Sequence, residues 1–359
     1  MDAERPPDHA LSSPSKADLC ALDVEDSLSF LNLIEVTPEP APSHVSSSPM
    51  IYPRILCFVN TISVHHKTRA QAVAETWGQR CDKLLFFSNM SDTITIGVGT
   101  DQERSYDVIP LDVPADHDHL WQKHKATLQY VHKHYRHDYD WIYKADDDAY
   151  VIMENLRKYL RRPEVMQVFM REPIQMGHRF NLPESALKAY IKNETLRSLW
   201  TSQNEHLIYN SGGPGYVMNN LYVERLVKNI PEWTCLSDSD GTTVPDDLAI
   251  SFCLAWEGVY PWNTRDHLGR ERWHAVGPRH SFVKRNNTDS WLFRYHAHVG
   301  GWKSGFDSAA PDSIAIHYIS PTLMYHLERS LYLCRAVGDD LGAFNRKFGL
   351  ALGNKVQVN

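Results

Sequence analysis

The stretch DWIYKADDDAYVIMENLR, residues 140–157, decides the fold. Its apolar run at 141–143 is typical of a buried strand, and its last third has the spacing of an amphipathic helix. Asp146, Asp147 and Asp148 follow the strand directly, at the carboxyl edge where open α/β sheets bind ligands. Carboxylate oxygens are preferred ligands of Mn²⁺ and Mg²⁺, which bridge to phosphate oxygens. A simpler explanation also fits, namely that one aspartate caps the following helix.

Strand and helix patterns alternate on both sides of this stretch. Short apolar runs predict buried strands, and apolar residues spaced three and four apart predict helices. The alternation predicts an α/β fold with a mostly parallel sheet flanked by helices. The predicted strands are 55–59, 83–88, 106–111, 141–143 and 314–319, and the predicted helices are 64–80, 119–135, 151–160, 183–200, 245–256 and 320–335.

Composition divides the chain into three parts. Residues 1–53 are rich in Pro and Ser and predict a flexible arm, since they bury too little apolar surface to offset their ordering entropy. Residues 54–335 are expected to form one catalytic domain, followed by a tail at 336–359. The net charge of −7 over 359 residues argues against a nucleic-acid partner. The sequence contains no run of roughly 18 apolar residues, which is the length that would predict a membrane span.

Three further groups could contribute to chemistry, and each has an ordinary structural explanation as well. Asp246 and Asp247 begin a predicted helix, so one can cap it while the other serves as a general base. His317 lies in an apolar strand pattern, as a core histidine or as a metal ligand completing a site with Asp148. The glycine-rich run at 212–215 predicts either a tight turn or a close approach of backbone to ligand.

Cysteines and histidines leave further alternatives open. The six cysteines contain no Cys-x-x-Cys pair, which argues against a zinc ribbon, and their even number fits disulfides or buried thiols. Glycosylation sequons begin at Asn89, Asn193 and Asn286 and raise the expectation of a secretory protein only slightly. The histidines between residues 117 and 137 are expected on a solvated helix face rather than around zinc.

Taken together, the motifs resemble those of glycosyltransferase family 31, and within it the core-1 β1,3-galactosyltransferases. The matching segments occur in the family's order between residues 54 and 335. They are RILCFVNT (54–61), ETWGQRCDKLLFFS (75–88), YVHKHY (130–135), DWIYKADDDAYVIMENLR (140–157), GHRF (177–180), YNSGGPGYVM (209–218), PDDLAISFCL (245–254) and AIHYIS (315–320).

The resemblance implies a GT-A fold whose Rossmann-like half holds UDP. It implies an inverting transfer of galactose from UDP-galactose to O3 of N-acetylgalactosamine (GalNAc) on Ser or Thr of a glycoprotein. Mn²⁺ is the implied cofactor, with Asp146, Asp148 and His317 as its ligands. Asp247 matches the family's catalytic base, and Asp246 is the alternative. The residues implied in nucleotide-sugar binding are Thr61, Arg69, Asp146, Asp147, Tyr209, Gly212 and Gly213.

The resemblance also implies disulfides between Cys57 and Cys81 and between Cys235 and Cys253, with Cys20 and Cys334 unassigned. It implies a Golgi enzyme anchored as a single-pass type II protein, although no anchoring segment is visible, and it leaves a homodimer open. An adjacent cysteine pair of the family is replaced by Ala309-Ala310-Pro311, and the insert at 184–206 is longer than usual. The alternative functions are a fringe-like β1,3-N-acetylglucosaminyltransferase and a catalytically silent, chaperone-like relative.

Overall fold

The computed structural model describes residues 34–36, 52–204, 206–232, 235–236, 244–282 and 290–334. Most of the predicted arm and all of the predicted tail, together with Cys20 and Asn286, lie outside these residues. Within them the chain forms mixed α/β structure, as predicted. The strands are β1 Ile55–Asn60, β2 Lys83–Ser88, β3 Asp92–Ile96, β4 Arg104–Pro110, β5 Trp141–Asp146, β6 Tyr150–Val151, β7 Gln175–Gly177, β8 Arg179–Leu182, β9 Leu207–Asn210, β10 Tyr216–Asn219, β11 Trp273–His274 and β12 Ala315–Ile316.

Helices cover both faces of the central sheet. Helical segments of the 3-10 and π type flank α1 at 63–70 and 77–80, and another follows α11 at 329–333. Among the described residues, no helix has the length and apolar character needed to span a membrane. The α-helices are α1 Gln71–Glu75, α2 Leu120–Tyr135, α3 Met153–Leu160, α4 Pro163–Val168, α5 Glu184–Tyr190, α6 Glu194–Gln203, α7 Asn220–Asn229, α8 Asp246–Ala255, α9 Pro278–Ser281, α10 Trp291–His296 and α11 Pro321–Glu328.

Seven strands form the central sheet in the order β3-β4-β2-β1-β5-β10-β7. The four middle strands β4, β2, β1 and β5 are parallel, whereas β3, β10 and β7 pair with their neighbours in antiparallel fashion. Alternate side chains of β1 enter different cores, with Cys57 and Val59 on one face and Leu56 and Phe58 on the other. The apolar runs of the sequence are therefore strands buried on both faces, as expected for a parallel sheet.

The carboxyl edge of β1 and β5 is where the polar residues collect. Asn60 pairs with Asp146 in the register of these two strands, so the segments that leave them start side by side. The small sheet β11-β12-β6 then carries the late part of the chain back to this edge. Ile319 N donates a hydrogen bond of 2.8 Å to the carbonyl of Asp148, which fixes the 317–319 segment beside the aspartate triplet.

Several predicted helices and strands begin or end at other residues in the structure. The helix predicted over 64–80 is interrupted by a π turn at 66–70 and by Thr76, which lies outside helical φ/ψ space. The strand predicted over 314–319 is confined to Ala315–Ile316. Tyr318 has φ of 58°, the one positive value among the described non-glycine residues, and this ends the strand. His317 consequently lies just past the strand rather than within it.

The expectation of a flexible arm over residues 1–53 is wrong for residues 34–36. Ile34 is 1% exposed and belongs to the core, and Glu35 N donates a 2.7 Å hydrogen bond to the carbonyl of Pro311. Burial of the Ile34 side chain offsets part of the cost of ordering this short segment. Residues 34–36 contact the segment Ala309-Ala310-Pro311, which replaces the family's cysteine pair.

Both disulfides that the resemblance implies are present. Cys57 in β1 is bonded to Cys81, and Cys235 is bonded to Cys253 in α8. Cys334 is disulfide-bonded as well. The insert at 184–206 is helical, as predicted, and forms α5 and α6. Asn89 and Asn193 are both exposed, and the Asn193 side chain caps α6.

Candidate active site

The aspartate triplet and His317 meet at the carboxyl edge of β5. His317 Nε2 lies 3.2 Å from Asp148 Oδ1, and ligand-type atoms of Asp146, Asp148 and His317 all lie within 4.8 Å of one another. The triplet does not cap α3, because Ile152 holds the N-cap position without a side-chain bond. Two carboxylates and one imidazole in this arrangement can coordinate a divalent cation.

The orientation of His317 favours metal coordination. Its Nδ1 donates to the carbonyl of Ala275 at 3.1 Å, and its Nε2 is turned toward Asp148. Metal-binding histidines are usually held by such a bond from the second ring nitrogen. Burial acts to raise the pKa of Asp148, but the hydrogen bond and charge of His317 and the charge of Arg69 outweigh it and lower that pKa. The donor set therefore fits a hard or borderline cation such as Mn²⁺.

Asp147 has a different environment from its two neighbours. Its Oδ2 accepts hydrogen bonds from Thr61 at 2.7 Å and His65 at 2.9 Å, and its Oδ1 lies 3.3 Å from Arg69 Nη1. Arg69 also reaches Asp148 Oδ2 at 3.4 Å. The buried Asp147 thus orders the start of the first helical segment against β5. This brings together Thr61, Arg69 and Asp147, three residues that the resemblance implies in nucleotide binding.

Lys144, in the middle of β5, connects the two acidic groups. It is 1% exposed, and its ammonium lies 2.7 Å from Asp146 Oδ1, 2.9 Å from the carbonyl of Gly212 and 3.5 Å from Asp246 Oδ2. Burial acts to lower the pKa of Lys144, but the charges of Asp146 and Asp246 outweigh it and raise that pKa, so the group stays cationic. Asp146 and Asp246 therefore face each other across one buried positive charge.

Asp246 and Asp247 begin α8 in unlike environments. Asp246 lies 3.4 Å from His124 as well as near Lys144, and these charges lower its pKa against the effect of burial. Asp247 accepts one backbone N–H on each oxygen, from Gly212 and Leu248, both at 2.8 Å. Burial and the charge of Asp246 raise the pKa of Asp247 to about 7. A carboxylate with this pKa is well matched to general base chemistry near neutral pH.

One cavity of about 620 Å³ joins these groups. Its polar side includes Asp146, Asp246, Asp247 and His317, and the Gly212-Gly213 backbone lies between them. The opposite wall is apolar and includes Phe180, Val276, Trp291 and Leu292. Aromatic rings beside a polar floor are suited to the two faces of a sugar, so the cavity can hold a metal-bound phosphate and a sugar acceptor together.

The chain is similar to known glycosyltransferases. A family model described as Fringe-like matches residues 52–268, which is more than half of the chain. The chain belongs to the Fringe-like family of glycosyltransferases. It is 31% identical over 317 residues to "Glycoprotein-N-acetylgalactosamine 3-beta-galactosyltransferase 1" of Xenopus laevis, covering 86% of this chain and 76% of that protein. It is also 24% identical over 196 residues to "Chondroitin sulfate synthase 3" of Mus musculus, covering 55% of this chain and 20% of that protein.

Tyr209 of this Fringe-like glycosyltransferase lies behind the cavity wall rather than in it. Its ring packs on Phe180, with centroids 5.8 Å apart, and Phe180 in turn lines the cavity. Tyr209 is 7% exposed and is not among the described residues that form the cavity wall. It supports the apolar wall from behind, so its role in binding nucleotide sugar stays a prediction.

Sequence reasoning missed three residues of the site. Lys144 stands out as a charged residue within a buried apolar strand, and this signal could have identified it. His65 carries no such signal. His124 was expected on a solvated helix face, and this is wrong: it is fully buried and lies 3.0 Å from Tyr216 Oη and 3.4 Å from Asp246. Its position on α2, which packs against α7 and α8, turns it inward.

Proposed function

We propose that this glycosyltransferase transfers galactose from UDP-galactose to O3 of GalNAc on Ser or Thr of glycoproteins, with inversion at the anomeric carbon. One observation carries the proposal. Asp146 and His317 of the proposed metal site line the same cavity as Asp246 and Asp247, and Lys144 and the Gly212-Gly213 turn join the two groups. The similarity to the Xenopus laevis protein supports the choice of donor and acceptor.

We assign each group of residues in the site a separate part in the proposed reaction. Asp146, Asp148 and His317 hold a divalent cation, proposed to be Mn²⁺. When bound, such a cation neutralises the charge that develops on the UDP leaving group. Thr61 and Arg69, positioned by Asp147, bind the nucleotide beside it. The apolar wall with Phe180 and Trp291 orients the acceptor sugar so that its hydroxyl faces Asp247.

Asp247 is the proposed general base. Its ionised form takes the proton of the GalNAc 3-hydroxyl while that oxygen bonds to the anomeric carbon and the bond to UDP breaks on the opposite face. Inversion needs only this one base. Asp246 is less suited to the role, because Lys144 and His124 hold it as a stable anion of low basicity. Its proposed part is to raise the proton affinity of Asp247.

We also propose that the protein acts in the secretory pathway. Two disulfides join described segments, and such bonds persist in oxidising compartments rather than in the cytosol. We therefore propose that it acts in the Golgi lumen on glycoproteins that already carry GalNAc.

A donor and acceptor screen tests the function. The purified full chain is incubated with Mn²⁺, a GalNAc-bearing peptide and, in separate reactions, UDP-galactose or UDP-N-acetylglucosamine. We expect a disaccharide only from UDP-galactose, with a β1,3 linkage by NMR, and none from the unglycosylated peptide. The variant Asp247→Asn should bind UDP but lose transfer.

Two results would contradict the proposal. Transfer from UDP-N-acetylglucosamine instead of UDP-galactose would indicate the fringe-like alternative. Mn²⁺-dependent binding of UDP without turnover of either donor would indicate the catalytically silent relative.

A further inference from the structure

A second group of metal-ligating side chains lies outside the cleft. His178 between β7 and β8, Glu271 before β11 and His296 at the end of α10 are all buried, and their ligand-type atoms lie within 4.8 Å of one another. They come from three distant parts of the chain. The proposed function uses none of them.

The hydrogen bonds of the two histidines leave one position unfilled. His178 Nδ1 lies 2.6 Å from the carbonyl of Trp273, and His296 Nδ1 lies 2.6 Å from the carbonyl of Leu292. A carbonyl only accepts, so both Nδ1 atoms must carry the proton. The Nε2 atoms of neutral rings then present lone pairs to each other, and they are only 2.8 Å apart. Such an arrangement is stable only with a cation between the two nitrogens.

A metal ion can meet this requirement, because histidine binds metals through the lone pair of a neutral ring nitrogen.

The third residue supplies the anionic ligand. Glu271 Oε1 is taken by Arg265 at 2.5 Å, whereas Oε2 lies 3.7 Å from His178 Nδ1, and Glu271 offers a ligand atom within 4.8 Å of one from each histidine. Glu271 and Arg265 form an ion pair at 2.5 Å, so the carboxylate offsets the charge of the guanidinium beside it. Arg265 and the two backbone carbonyls hold the first ligands in place, as outer partners do in known metal sites.

We propose that His178, Glu271 and His296 form a structural site for a divalent metal ion of the zinc class. Two imidazole nitrogens and one carboxylate are an established ligand set for Zn²⁺, in which water fills the fourth position. Tetrahedral ligands at about 2.0–2.1 Å from zinc stand about 3.3 Å apart, so the histidine pair must open by roughly 0.5 Å.

The site would brace the apolar wall of the cleft. The His296 ring contacts Phe180 of β8, with centroids 4.9 Å apart, and His296 belongs to the helix that carries Trp291 and Leu292. A metal bound here ties β8, α10 and the segment before β11 together. It would act on the shape of the acceptor wall and on stability, without touching the reacting groups.

Metal analysis of the purified full chain tests this inference. The protein is incubated with Zn²⁺, desalted and analysed by mass spectrometry for bound metal. We expect about one zinc ion per chain, reduced at least tenfold in His296→Asn. The matched control is Asp148→Asn, which removes a ligand of the cleft site and should leave the zinc content unchanged.

Cobalt gives a second readout that does not depend on the folding of His296→Asn. Co²⁺ bound in the Asp148→Asn background should show visible d–d absorption and shift the NMR signals of two histidines with protected Nδ1 protons. A folded wild-type chain with less than about 0.1 zinc per chain overturns the proposal. Zinc retained in His296→Asn but lost in Asp148→Asn overturns it too, since the metal would then lie in the cleft. Neither result would bear on the transfer reaction.

Discussion

Gly213 lies directly against the imidazole of His317. A Cβ on this glycine would stand 2.0 Å from His317 Cε1 and 2.1 Å from Nδ1. No side chain can occupy position 213 while His317 keeps its bond to Ala275 and its place beside Asp148. The glycine-rich turn therefore makes room for the His317 ring on one side, while the N–H of the preceding Gly212 holds Asp247 on the other.

The substitution Gly213→Ala should displace His317 and weaken the metal site. We expect the affinity for Mn²⁺ in the presence of UDP to fall at least about tenfold, with circular dichroism unchanged. Gly277→Ala is the matched control, because its Cβ would meet the nearest atom, Tyr318 Cβ, at 3.3 Å, which a small shift can relieve. Equal Mn²⁺ affinities of Gly213→Ala and wild type would show that His317 does not hold the ion.

The substitution Lys144→Met should lower both the free energy of unfolding and the transfer activity. The variant leaves Asp146 and Asp246 facing each other without the buried ammonium that separates them, and unpaired buried charges cost about 3 kcal/mol or more. Urea unfolding should show a loss of this size, with transfer activity falling in parallel. Lys188→Met on the exposed face of α5 is the control and should change neither. A Lys144→Met protein as stable as wild type would contradict the account of this charge.

The raised pKa of Asp247 predicts an acidic limb in the pH profile. A base must be ionised to act, and its folded pKa is about 7, so kcat/KM should fall as the pH drops through 7. The decline should approach tenfold per pH unit below that point. Asp246→Asn removes the neighbouring negative charge, and the limb should then move to lower pH. A limb that stays in place in Asp246→Asn would indicate a different titrating group.

Asp147→Asn should affect the donor more than the chemical step. The carboxylate holds Thr61, His65 and Arg69, so its loss releases the residues proposed to bind the nucleotide. We expect KM for UDP-galactose to rise several-fold with a smaller change in kcat. Asp92→Asn is the control, since Asp92 bonds the neighbouring His66 at 3.0 Å and is not among the cavity-lining residues. A change in kcat alone would place Asp147 in the chemical step.

The elements with strong local patterns could be predicted from the sequence. The apolar run at 83–88 matches β2, and the stripe over 119–135 matches α2 within one residue, because burial on a sheet or helix face leaves a periodic trace. The edge strand Asp92–Ile96 was missed, because only Ile94 and Ile96, which alternate with threonines and are buried, mark it in the sequence.

The residues of the candidate site also divide into those that could be predicted from the sequence and those that could not. Asp146, Asp148 and His317 came from the motif resemblance, and the fold brings them together although 169 residues separate the last two. Lys144 and His124 gain their roles from contacts with Asp246, about 100 residues further along the chain, and local sequence contains no record of such contacts. The strand assigned to His317 was cut short by the backbone of Tyr318, which no composition rule foresees.

The location of the bound cation tests the central claim most directly. Crystals grown with Mn²⁺ and UDP can be measured at the manganese absorption edge, where anomalous scattering marks the ion alone. We predict one strong peak in the cleft, in contact with Asp148 and His317 and next to the UDP phosphates. A peak away from both residues, or bound UDP with no manganese peak beside it, would contradict the account.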